Sequence, residues 1–176
     1  MTFKSAKYVL GLLLVLQLGP QCFAQNTIFA KFDNFNCQGA ASRDFPGSAV
    51  FSVAFAGSNP FVLATGGAGS GKSSFADIKL VKTLDDCTPL LFDALAKGSN
   101  LANVTISIIT PATSTTPATH LLDILLQNVL ITSDEFAEAV GGRPSEVVAL
   151  GWTKITITHV PTNTKFTWDR VANTTF

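Results

Sequence analysis

Apolar and polar residues alternate along most of the chain. TIFAKFD (27–33) sets Ile28, Ala30 and Phe32 on one side. AVFSVAFA (49–56) sets Val50, Ser52 and Ala54 against Phe51, Val53 and Phe55, and ADIKLVK (76–82) sets Ile78 and Leu80 against Lys79. NVTISII (103–109) puts Val104, Ile106 and Ile108 opposite Thr105 and Ser107. HLLDILLQNVLITS (120–133) is a long, nearly continuous apolar run. WTKITITHV (152–160) alternates Thr153, Ile155, Ile157 and His159 against Lys154, Thr156 and Thr158, and KFTWDR (165–170) comes after the turn VPTNT. A period of two with β-branched and aromatic enrichment predicts half-buried antiparallel strands.

The period changes once. CTPLLFDALAKGSN predicts a helix over 89–97, with Thr88 as N-cap, Pro89 in the first turn and Gly98 just past the end. Leu91 and Leu95, with Leu90 and Ala94 beside them, give it one apolar face, and Lys97 favours the C-terminal dipole. The Thr/Pro-rich TPATSTTPATH (110–120) lies between two strand-like runs and reads as a hairpin loop. There is no internal repeat and no second domain. Seven or more strands, adjacent in sequence, with one helix point to a mainly β, antiparallel barrel or sandwich.

The first residues stand apart from that pattern. Lys4 and Lys7 precede an apolar run from Tyr8 to Leu18, and GPQCFAQ then supplies a helix breaker and a cleavage site after Ala24. This is the layout of a signal peptide. The run is shorter than the about 20 residues a membrane anchor needs. Gln21 before Cys22 does not fit a lipoprotein signal. The expected organisation is a signal peptide over 1–24 and a single domain over 25–176, secreted or periplasmic in a bacterium.

Cleavage removes two lysines and no acidic residue from a chain with 12 basic and 12 acidic residues, leaving a formal charge of −2. Nothing in that balance suggests nucleic acid or a membrane surface as partner. The charged fraction is only 14%, which fits a protein that hides surface in an oligomer.

One stretch carries an explicit chemical motif. GGAGSGKS (66–73) fits G-x-x-x-x-G-K-[ST] through Gly66, Gly71, Lys72 and Ser73. A phosphate-binding loop of that kind needs a helix starting at the Lys-Ser step, so that backbone N–H groups and the helix dipole hold the phosphates. After Ser74 comes FADIKLVK, which is strand-like. The acidic metal ligand at the end of a buried strand is also missing, since VLITSD sets two polar residues before Asp134. The motif is therefore read as an exposed loop and nucleotide is not expected as a ligand.

Other candidate chemistry is sparse. His120 and His159 have no nucleophile in a recognisable arrangement. Asp85 and Asp86 suit the start of the helix. Asp134, Glu135 and Glu138 read as a solvated loop together with Gly141, Gly142 and Pro144. Trp152 and Trp168 are the side chains with which a protein would stack a sugar, but strand-like surroundings favour packing. No catalytic residue, cofactor-binding residue or metal ligand is assigned. Cys37 and Cys87 either form one disulfide or remain two buried thiols.

The order of blocks adds a resemblance. IFAKFD, a loop ending SRDF, a strand, a Gly/Ser-rich loop and then DIKLVKTLDDCTPLLFDALAKGSNLANVTISI resemble hemolysin-coregulated protein (Hcp), the tube subunit of the bacterial type VI secretion system. TPLLFDALAKG is the most specific part, and LLDILLQNVLITS and EVVALGWTKITITHV are similar to that family's last strands. The likeness covers nearly all of the chain after the leader. It implies an antiparallel β-barrel flanked by one helix, and hexameric rings stacked into a tube that carries effector proteins. It implies no cofactor and no enzymatic activity. A leader is unusual for such a subunit, and TKFTWDRVANTTF runs past the family's usual end. A secreted or periplasmic monomeric β-domain that binds a ligand or a surface is the alternative.

Overall fold

The computed structural model describes residues 26–35, 37, 47–64, 67–112, 116–137 and 144–176. The leader, Gly66, Glu138, Gly141 and Gly142 lie outside them. The elements in chain order are β1 (Thr27–Phe32), β2 (Ser48–Ala54), β3 (Gly57–Ser58), β4 (Phe61–Ala64), β5 (Gly67–Ser70), β6 (Ser74–Phe75) and β7 (Ile78–Thr83). Helix α1 (Thr88–Lys97) comes next, then β8 (Leu101–Thr110), β9 (Thr119–Ala137), β10 (Ser145–Gly151), β11 (Lys154–His159) and β12 (Thr164–Asp169).

Strands β10, β7, β2, β1, β8 and β9 pair in that order, and β9 pairs back onto β10. The result is a closed, six-stranded antiparallel barrel with one helix. Closure removes the edges that a flat sheet would expose. The length of β9 makes this possible. Leu122–Gln127 pair with β11, whereas Leu130–Ala137 pair with β10. Between them Asn128 takes φ 51°, the left-handed conformation that asparagine tolerates. The Gln127 carbonyl accepts from both the backbone N–H and the hydroxyl of Thr153, which fixes the β10–β11 corner. The β11–β12 ribbon extends the sheet beyond the barrel, joined by a 3₁₀ turn over Val160–Thr162.

The alternating positions fill the barrel. Ala30, Ile78, Leu80, Val104, Ile106, Leu126, Val148, Leu150 and Ile155 are fully buried. The pattern in β2 shifts part-way. A bulge between Val50 and Ser52 makes Phe51 an extra, exposed residue. Val50 then shares the inner face with Val53 and Phe55, which pack on the core, and not with Ser52 and Ala54 as strict alternation predicts. The Thr/Pro segment joins β8 and β9 as a hairpin, with Thr110 opposite Thr119.

The helix starts one residue earlier than expected and is capped differently. Cys87, not Thr88, is the N-cap, in helical conformation and without a side-chain cap bond. The Thr88 hydroxyl donates to Glu146 of β10 and so is not spent on the helix end. The C-terminus agrees with the sequence: Gly98 takes φ 61°, with Gly98 N–H donating to Leu95 O and Ser99 N–H to Ala94 O. Leu91 and Ala94 bury their side chains against the barrel, and Phe92 meets Phe136 edge-on at 5.8 Å.

Candidate functional site

The candidate features gather at two places. The first is the end of the barrel where α1 begins. Alternation in β7 continues from Ile78 and Leu80 to Lys82, and alternation in β10 runs back from Leu150 and Val148 to Glu146. Both charges therefore point into the barrel, directly opposite each other in the sheet, and both are fully buried. Lys82 Nζ donates to Glu146 Oε2 at 2.6 Å, to Asp85 Oδ1 at 2.9 Å and to the Thr83 carbonyl at 2.9 Å. The Thr88 hydroxyl donates to the same Glu146 oxygen at 2.7 Å, and accepts from the Asp85 backbone N–H. Asp85 Oδ1 also accepts from the Cys87 N–H. A lysine, a glutamate and a helix start are thus joined in one network.

Asp134 is the fourth charged member. It lies within β9 and is buried, so the solvated loop expected for Asp134 and Glu135 is replaced by strand. As carboxylates, neither Asp134 oxygen nor Glu146 Oε1 finds a donor among the described residues, whereas a protonated Asp134 can donate to Glu146. Burial first, and the negative charge of Glu146 second, push the Asp134 carboxyl up to about 7, against the pull of Lys82. Ionised carboxylates are costly to hold out of water, and its burial makes Asp134 favour the protonated form.

Cys37 and Cys87 meet beside this cluster. Their Cα atoms lie 5.1 Å apart and their sulfurs are joined. The crosslink ties the segment after β1 to the N-cap of α1.

The second place lies between the GKS segment and the C-terminal ribbon. Gly67–Ser70 form β5, which pairs with β4, and Ser74–Phe75 pair with Gly57–Ser58. No helix starts after Lys72, so the geometry a phosphate-binding loop requires is absent there. Phe75 is the centre of an aromatic cluster, with Phe55 at 5.8 Å, Trp168 at 5.3 Å, Phe166 at 6.0 Å and Trp152 at 6.2 Å between ring centroids. Arg170 stacks on Trp152 at 4.8 Å and donates to Asp77 Oδ1 and to the Phe75 and Trp152 carbonyls. Trp152 is buried core. Trp168 is half-buried and faces a cleft of about 200 Å³ with Lys72 on its rim.

The histidines stay apart from both places. His120 Nδ1 lies 3.1 Å from Asp123 Oδ1, and His159 Nδ1 lies 2.7 Å from the Thr162 hydroxyl. Among the described residues no three His, Cys, Asp or Glu side chains converge as a metal site. No described helix is long and apolar enough to cross a membrane. The sequence reading missed Lys82, Glu146 and Asp134. The signal was present for two of them: Lys82 and Glu146 each extend an apolar alternation by one more inward position.

Residues 49–159 match the family model described as "Type VI secretion system effector, Hcp". The chain belongs to the Hcp family. Solved structures agree at the level of the fold. One described as a type six secretion system protein is 18% identical with a TM-score of 0.72, covering 86% of this chain and 100% of its own. Hcp1 from Salmonella typhimurium is 17% identical with a TM-score of 0.68, covering 86% and 99%. The secreted protein Hcp3 from Pseudomonas aeruginosa is 16% identical with a TM-score of 0.58, covering 82% and 96%. No curated protein is detectably similar to the chain. The expected fold, an Hcp-like antiparallel barrel with one helix, is the fold observed. Family and fold together make this a structural protein of the Hcp type.

Proposed function

We propose that this protein is a non-enzymatic, ring-forming subunit that assembles as a hexamer and stacks into a tube able to carry effector proteins. The observation that carries the reading is the closed antiparallel barrel with its one helix, which matches Hcp structures over nearly their whole length. In this reading the chain is exported: residues 1–24 direct it across the membrane and are removed. The low charged fraction fits a surface that is largely covered in an assembly.

Size-exclusion chromatography with light scattering, followed by negative-stain imaging, tests the proposal. The expected result is a particle of six chains with a central hole. A strict monomer at high protein concentration would overturn it. That outcome would favour a second reading, a monomeric ligand-binding β-domain, for which the cleft beside Trp168 is the specific support.

A further inference from the structure

The GKS segment does not make a phosphate-binding loop, yet it is not an idle surface. Lys72 and Ser73 line the cleft of about 200 Å³ together with Phe75, Trp168, Arg170 and Asn173. No carboxylate lines it. Two aromatic rings, the hydroxyls of Ser73 and Ser74, a carboxamide and two cations line one small space.

The charge count is specific. Arg170 is paired with Asp77 at 3.0 Å and held by two carbonyls. Lys72 is exposed and has no acidic partner among the described residues. The cleft therefore carries one uncompensated positive charge. That matches a carboxylate better than a doubly charged phosphate monoester. The wall is preorganised: Trp168 packs on Phe75, and Phe75 is fixed by three further rings, so little ordering cost remains for a ligand. Size sets the other limit. The cleft is smaller than the roughly 300 Å³ at which pockets for drug-sized ligands begin, so it takes one ring and not a nucleotide.

We infer that this cleft binds a carboxylate-bearing sugar ring, a uronic acid or the terminal uronic residue of a polysaccharide. The C–H face of the ring rests on Trp168, Lys72 takes the carboxylate, and Ser73 and Asn173 exchange hydrogen bonds with the ring hydroxyls.

The test is saturation-transfer NMR and titration calorimetry on the purified protein, with glucuronate, glucose and inorganic phosphate as probes. Glucuronate is expected to bind with a millimolar Kd, glucose more weakly, and phosphate more weakly still. Lys72→Ala, on an exposed position, is expected to weaken glucuronate about tenfold, the value of a lost charge-assisted bond, with glucose unchanged. Trp168→Leu is expected to weaken both sugars, and Trp168→Phe, which keeps an aromatic face and guards against misfolding, to retain most of the binding. Two results would overturn the inference. One is no binding of glucuronate by the wild type. The other is phosphate binding as tightly as glucuronate and indifferent to Trp168, which would make this a bare anion site.

Discussion

Asp134 carries a measurable pH dependence. Its carboxyl is raised from the ordinary 3.8 to about 7, mainly by burial. Between those values the folded chain holds a proton that the unfolded chain has released. The associated stability is complete below pH about 4, declines as pH rises towards about 7, and is then fully lost. Asn at this position keeps the shape and cannot ionise. Asp134→Asn is therefore expected to match the wild type in urea unfolding near pH 4 and to be more stable at pH 8. The separation sets an upper limit on the order of 4 kcal/mol at 1.36 kcal/mol per pH unit. Equal stabilities at pH 8 would mean that water or Lys82 already solvates the ionised carboxylate.

At the scale of elements, tight backbone contacts decide how the barrel is joined. Gly47 leads into β2 at φ 145°, and a methyl group there would sit 2.6 Å from the Ala30 carbonyl oxygen of the paired strand. Both the conformation and the space exclude a side chain. Gly47→Ala is expected to cost more than about 2 kcal/mol in chemical denaturation, since the β1–β2 pairing would have to separate. Most elements were legible because period two and one amphipathic helix signal are local properties. The helix end at Gly98 was legible for the same reason. The N-cap was not, because Thr88 is drawn to Glu146, 58 residues away. The inner face of β2 was misread because a bulge resets the alternation, and nothing in FSV announces it. Asp134 was misread because a carboxylate next to glutamate signals solvent unless its strand partners are known. The cleft needed Lys72 and Trp168 together, which only folding supplies.

For the whole molecule, the Cys37–Cys87 bridge joins the segment after β1 to the helix, across a sequence separation of 50. Chain entropy gives a crosslink of that span on the order of 4 kcal/mol. An oxidised sample is expected to melt well above one treated with dithiothreitol, and non-reducing peptide mapping to recover Cys37 and Cys87 in one crosslinked fragment. Equal melting of the two samples, with both thiols free, would remove the bridge and weaken the case for export.

The same bridge has a topological consequence. Strands β2 to β7, with the excursion that carries β3 to β6, lie inside a covalent ring closed by the two sulfurs. A protease that cuts the excursion once would produce a nicked chain whose halves cannot drift apart, because they are tied at the ring's seam. On a gel such a molecule runs as one band until reductant is added and as two bands afterwards. If the chain is exported as proposed, a single cut inside this ring leaves it in one covalent piece.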